Sequence, residues 1–318
     1  MHPVKLSNRA FVINQFGSVD EFSSVERDVA SLKSQQILIK TISAAVNPID
    51  VKTRNGIGFA AAQNKENFPL VLGYDVCGEV IACGQDVSEF TQGDWVIGMV
   101  GFAVNPGCYQ QYCLVDATEV IKVSAAKENT LLSGLCLAGL TALQGIRLLT
   151  RNLSKEQHIY INAARGGVGH LALQIARNLG FKVTAVTGEP KDKLFETLAI
   201  DAISYEVFYA GNQAAGFFDI AGGERGLSAL SALKPGAQVV TVPTITAPQI
   251  VTTAAQLGLQ CTGMLVENNL NDLRQLVDWY QNNQLELIID SVFPMSDVAA
   301  AHLRVATGQT VGKVILLA

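Results

Sequence analysis

The chain has 318 residues, 49% of them apolar and 16% charged, the balance of a packed globular protein with room for two domains rather than of a disordered segment. Its formal net charge is -5 and no block of Lys or Arg occurs, so neither nucleic acid nor an anionic membrane surface is an expected partner. No apolar run reads as a membrane span or a signal-peptide core, and the six cysteines form no CxxC pair, so the expectation is a soluble, cytoplasmic protein with reduced thiols.

From residue 1 to about 125 short β-branched or alternating runs are separated by Gly, Pro, Asp and Asn. They are Ala10 to Ile13, Ile37 to Ala45, Glu79 to Ala82, Trp95 to Val100, Gln111 to Val115 and Val120 to Val123. Asn47-Pro48 opens a turn, because the residue before proline is kept out of the helical region, and Asp50 is placed to cap a short helix through Val51 and Thr53. Gly56 to Ala62 reads as a loop. At Lys127 to Arg151 the apolar period becomes helical, with Leu131, Leu135, Leu143, Ile146 and Leu149 in step, and a second domain begins near residue 126.

Residues 158–177, HIYINAARGGVGHLALQIAR, run from an apolar strand through a glycine turn into an amphipathic helix. Written as GxGxxG the turn is Ala164-Arg165-Gly166-Gly167-Val168-Gly169, with alanine in the first glycine place. Such a turn lets backbone approach a pyrophosphate while the helix N-terminus offers free N–H groups to its charge. Further strands follow at Lys182 to Val186, Ala202 to Tyr205, Phe217 to Ala221, Gln238 to Val242 and Leu259 to Val266, alternating with helical stretches. That alternation predicts a doubly wound parallel sheet over 126–266. A helix over Asn271 to Asn282, a strand at Ile288 to Val292, a helix from Asp297 to Thr307 and a strand at Lys313 to Leu317 are assigned back to the first domain as 267–318. The fold class is therefore α/β, a mainly β domain plus a doubly wound one, and the cleft between them is the expected site.

The chain resembles the zinc-independent quinone and enone oxidoreductases of the medium-chain dehydrogenase/reductase superfamily. The residues that carry the resemblance are Asn47-Pro48-Ile49-Asp50, Leu72 to Val80, Gly93-Asp94-Trp95-Val96, Ala138-Gly139-Leu140-Thr141-Ala142, the glycine turn, Asp219 with Gly222-Gly223, and Gly312-Lys313-Val314, in that order. It implies a GroES-like catalytic domain formed by 1–125 and 267–318, a Rossmann NADP-binding domain over 126–266, and a homodimer. It also implies that zinc is missing, since Asn47, Tyr74-Asp75 and Leu137 stand where zinc-dependent relatives place their ligands.

Without a metal, hydrogen-bond donors must polarise the acceptor carbonyl, and Asn47 and Lys52 are the candidate catalytic residues. Lys52 fits the NPxDxK pattern of plant-type enone oxidoreductases. Tyr74, Tyr109 and Tyr112 are weaker candidates as proton donors. The cofactor set implied by the turn and the resemblance is Thr141, Ala164, Arg165, Gly166, Gly167, Val168, Gly169, Thr187, Gly188, Lys191, Tyr205 and Val242. Thr187 occupies the place where NAD-binding chains carry an acid, and Lys191 matches the family lysine that pairs with a 2′-phosphate, so the expected cofactor is NADPH, with Glu189 as counter-evidence. The expected reaction is hydride transfer to a small quinone or α,β-unsaturated carbonyl. Two alternatives are a 2-enoyl-thioester reductase and a non-enzymatic NADPH-binding redox sensor.

Overall fold

A computed structural model of the chain describes residues 6–211 and 214–318. Two compact units form, Met1–Leu137 with Asn268–Asp278 and Ile289–Ala318, and Ala138–Glu267 with Trp279–Ile288. The first junction follows Leu137 rather than residue 125. The reason is the 3-10 segment Lys127–Leu135, which packs on strands of the first unit and is pinned there by a contact of 2.8 Å between the Ser43 and Ser133 hydroxyls.

The first unit is built from β1 (Ser7–Ile13), β2 (Phe22–Asp28), β3 (Gln36–Val46), α1 (Pro48–Arg54), α2 (Phe59–Asn64), β4 (Leu70–Val71), β5 (Asp75–Cys83), β6 (Trp95–Met99), β7 (Tyr112–Asp116) and β8 (Val120–Val123). Strand β1 lies between β2 and β4 in a three-stranded sheet, while β3 pairs β5 and β7 in a seven-stranded one. The alternating inward residues of these strands, among them Ile37, Ile39, Val76 and Val96, form its core.

Three local readings differ from expectation. Asn47, not Asp50, is the N-cap of α1, because Pro48 takes the first helical position and Asn47 is held extended at φ −121 and ψ 157. The stretch expected as a loop contains α2, an Ala-rich turn of helix beginning after Gly58 at φ +88. Strand β2 was absent from the pattern because its sequence, FSSVERD, is that of a polar edge.

The second unit begins within α3 (Cys136–Thr150) and continues through β9 (His158–Asn162), α4 (Gly169–Asn178), β10 (Lys182–Thr187), α5 (Lys193–Leu198), β11 (Asp201–Ser204), α6 (Tyr205–Tyr209), β12 (Ala214–Asp219), α7 (Gly223–Leu230), β13 (Leu233–Thr241), α8 (Ala247–Gln256) and β14 (Gln260–Gly263). The strands run β11-β10-β9-β12-β13-β14, all parallel, the order of a doubly wound sheet whose direction of growth switches between β9 and β12. Tyr205, expected to end a strand, starts α6 because the Ser204 side chain accepts the Val207 N–H and caps a helix there.

The helical stretch Lys127–Thr150 is long and apolar enough to cross a membrane, contrary to the expectation that no segment is, but 78% of its apolar window is buried within the protein, as in a core helix. The chain closes with α9 (Leu270–Gln281), β15 (Ile289–Pro294), α10 (Val298–Ala306) and β16 (Lys313–Leu317). β16 pairs parallel with β15 and antiparallel with β3, which returns the end of the tail to the first sheet, whereas Trp279–Ile288, expected in the first domain, belongs to the second unit.

His302 on α10 is fully buried, edge-on to Phe22 and Tyr109, and neither ring nitrogen has a hydrogen-bond partner among the described residues. Burial first, and then the nearby Arg54 cation, push its pKa down from 6.5 to about 3. The folded chain therefore keeps a neutral imidazole where the unfolded chain takes up a proton. The stability this supports is complete above pH 6.5 and is lost as pH falls toward about 3. Urea unfolding followed between about pH 7 and about pH 4 should show a shallower loss for His302→Leu than for the wild type; parallel losses would refute the assignment.

Candidate active site

At the end of β3 the chain places a buried polar cluster around Asn47. The Asn47 backbone N–H donates to Asp50 Oδ2 at 2.8 Å, and the Tyr109 hydroxyl donates to the same oxygen at 3.0 Å. Asn47 Nδ2 donates to Asp75 Oδ2 at 2.8 Å, Leu137 N–H donates to Asp75 Oδ1 at 2.9 Å, and Lys313 Nζ donates to Asn47 Oδ1 at 2.5 Å and to Val46 O at 3.3 Å. An ammonium only donates and a carboxylate only accepts, so the orientation of the carboxamide is fixed by its neighbours.

The cluster holds two carboxylates and one ammonium, all buried. Burial raises Asp50 to about 7 and Asp75 to about 6, the latter restrained by Lys313 and by the Asn47 amide. Burial lowers Lys313, opposed by Asp75 and Asp50. A site of this composition approaches neutrality by keeping a proton on one carboxyl. Asp50, whose Oδ1 lacks a partner among the described residues, is pushed up further than Asp75, which has the Lys313 ammonium and the Asn47 amide to restrain it.

The positions at which zinc-dependent relatives carry ligands do meet in space, but their donors do not fit zinc. They offer a carboxamide, a carboxylate and a backbone N–H, with an ammonium directed among them. Among the described residues no three His, Cys, Asp or Glu are grouped to hold a metal ion. Tyr74 turns its hydroxyl to Ala103 O at 3.3 Å, and the Cys136 thiol turns to Leu132 O at 3.7 Å.

The two candidate catalytic residues are placed very differently. Asn47 is 1% exposed, with its carbonyl and one amide hydrogen committed to the cluster. Lys52, further along α1, is half-buried with no partner among the described residues, and burial lowers its pKa. Lys52 is thus the donor with free capacity, and Asn47 the residue behind it that is clamped. Tyr74 and Tyr109 are fully buried, and Tyr109 is engaged by Asp50, which leaves Tyr112 as the more open of the three tyrosines.

Removing the cation tests the cluster. Lys313→Met strands Asp75 without its counter-ion and should cost about 3–5 kcal/mol in denaturant unfolding, with Asp75→Asn in the same chain recovering part of the loss. A single variant as stable as the wild type would contradict the described balance of charge.

In the second unit, β9 delivers the chain to the glycine turn. Ala163 has φ +47, a conformation unusual for a residue with a side chain, and its N–H donates to the Tyr205 hydroxyl at 3.3 Å. A Cβ on Gly169 would lie 2.4 Å from Ala163 O and 2.7 Å from Ala164 Cα, so only glycine lets α4 start so close to the turn. No side chain caps α4; within its first turn the His170 N–H donates to Gly166 O at 3.1 Å. These features fit the pyrophosphate of a dinucleotide.

The strand ends beside the turn are tied by a network that sequence reasoning missed. Asn162 Nδ2 donates to Asp219 Oδ1 at 2.7 Å, the Thr241 hydroxyl donates to Asp219 Oδ2 at 2.7 Å, and the N–H of Gly222 donates to Asp219 Oδ1 at 2.9 Å. The N–H groups of Ile220 and Ala221 donate to Asn162 Oδ1 at 2.6 and 3.0 Å. The available signal was a polar residue closing each of two apolar strands, Asn162 on β9 and Asp219 on β12.

The turn residues Ala164 to Gly169, Tyr205, Thr187 and Gly188 collect at the ends of β9, β10 and β11. Thr187 is buried and its hydroxyl accepts the Glu189 N–H at 3.3 Å, while a Cβ on Gly188 would meet open space. Arg165 is ion-paired with Asp192 at 2.9 Å. Lys191 borders a cavity of about 320 Å³ together with Asp192, Glu196 and Asp201. Val242 donates its N–H to Asp219 O at 2.9 Å, and Thr141 is buried within α3.

Two family descriptions match the chain, the first inside the first unit and the second running across residues of both. Residues 33–125 match the alcohol dehydrogenase GroES-like domain family and residues 207–316 the zinc-binding dehydrogenase family. The chain is 30% identical to a 2-methylene-furan-3-one reductase of Solanum lycopersicum, over 97% of its own length and 78% of the relative's. It is 29% identical to a chloroplastic NADPH-dependent alkenal/one oxidoreductase of Arabidopsis thaliana, over 97% and 79%. Among solved structures, the quinone oxidoreductase from Coxiella burnetii superposes with a TM-score of 0.91 at 32% identity, covering 98% of this chain and 100% of that one.

Proposed function

The chain belongs to the quinone and enone oxidoreductase family of the medium-chain dehydrogenase/reductase superfamily, and from that premise we propose that it is an NADPH-dependent reductase of quinones or α,β-unsaturated carbonyls that works without zinc. What supports this reading is that one chain holds both features: a dinucleotide turn, in one unit, and, within the other, a buried cluster that has an ammonium where a metal would need ligands. The cofactor, when bound, supplies the hydride. NADPH rather than NADH is favoured by the tip of β10, where Thr187 and Gly188 present neither a carboxylate nor bulk to a 2′-phosphate.

The residues of the first unit supply the acceptor's half. Lys52 donates to the carbonyl oxygen and stabilises the oxyanion that forms as hydride arrives at the electron-poor carbon. Asn47, held by Lys313 and Asp75, sets the start of α1 and so the place from which Lys52 reaches. A proton from solvent completes the reduction. The same reading includes a homodimer in the cytoplasm, checked by light scattering and by cell fractionation.

NADPH oxidation followed with a panel of quinones, enones and enals tests the reading. Turnover is expected with at least one class, and Lys52→Met should lower it by about 100-fold while leaving the dissociation constant for NADPH unchanged. NADPH binding without oxidation by any acceptor would favour a redox sensor. Turnover restricted to acyl-CoA thioesters would favour the enoyl-thioester reductase.

A further inference from the structure

We propose that Arg225 reads the 2′-phosphate of the cofactor, in place of Lys191, and that Tyr205 is the plate that holds its guanidinium for the task. The inference rests on the NADPH reading above and deepens it.

Tyr205 opens α6 at the end of β11, yet its hydroxyl reaches the N–H of Ala163 at the end of β9, 3.3 Å away. In the sheet β10 lies between those two strands, so the ring crosses beside the β10 tip where the adenosine ribose of a dinucleotide is held. Arg225, in the first turn of α7, has its guanidinium 5.0 Å from the Tyr205 ring centroid. The cation is therefore stationed beside the glycine turn from an element the motif does not include.

Charge decides between the cations near this tip. Arg165 is spent on Asp192 at 2.9 Å. Lys191 shares its cavity with Asp192, already paired with Arg165, and with two further carboxylates, Glu196 and Asp201, which oppose an approaching phosphate. Arg225 is exposed and forms no ion pair among the described residues, so its charge is available. A planar guanidinium meets phosphate oxygens through two parallel N–H bonds, and its place over the Tyr205 ring holds it near this position beforehand.

Binding constants measured by calorimetry on the full chain test the proposal, with NADPH and NADH titrated into the wild type, Arg225→Met and Lys191→Met. Arg225→Met should weaken NADPH by about 10- to 100-fold and leave NADH within about twofold, while Lys191→Met changes NADPH by no more than about twofold. Equal weakening of both nucleotides would overturn the proposal by showing that Arg225 serves the adenine or the fold. Unchanged NADPH affinity in a wild-type background that prefers NADPH would overturn it too. A wild type that binds the two nucleotides alike would defeat the NADPH reading itself, and this inference with it.

Discussion

Lys313 reaches from the last strand of the chain to the carboxamide of Asn47, and the arrangement around that bond follows from the cost of burying its charge. An ammonium out of water needs acceptors and an anion close by. Asn47 Oδ1 and Val46 O provide the acceptors, and Asp75, bonded to the same carboxamide, provides the charge. Asp75 is in turn completed by the Leu137 N–H, the last residue of the first stretch of that unit. One cation thereby fixes β16 to β3, the start of α1, and the point where the chain leaves the first unit.

The second unit meets a comparable demand with a different solution. Its parallel strands end in a row, and the backbone N–H groups beyond β12 have no further strand to pair with. Asp219 and Asn162 collect those groups and tie them to Thr241, so that the ends of β9, β12 and β13 hold one geometry. The positive φ of Ala163 and the close approach at Gly169 stand directly beside this hydrogen-bonded frame. Binding is thus prepared by strand ends, and the glycine turn only exposes what they prepare.

The doubly wound sheet and the glycine turn were legible because their signals are contiguous: apolar strand, glycines and amphipathic helix follow one another between residues 158 and 177. Strand β2 was not, since a polar edge such as FSSVERD carries no buried face to betray it. The cluster was legible only as separate motifs. Asn47, Asp75 and Lys313 each stood in a recognisable stretch, but their mutual bonds join positions far apart in the chain, and nothing local tells that the Asn47 carboxamide is clamped by them. Arg225 was invisible for the same reason, because its proposed role comes from its nearness to the ring of a residue on another helix.

In the proposed reaction the bound cofactor would supply the hydride and side chains alone would stabilise the developing charge. Deuterium transfer tests it most directly: NADPH deuterated at the transferring position of C4 is given to the protein with an acceptor enone in the presence of a strong chelator. Mass spectrometry of the product should find deuterium at the β-carbon, formed at the rate seen without chelator. A product free of deuterium, or turnover abolished by the chelator and restored by zinc, would contradict it.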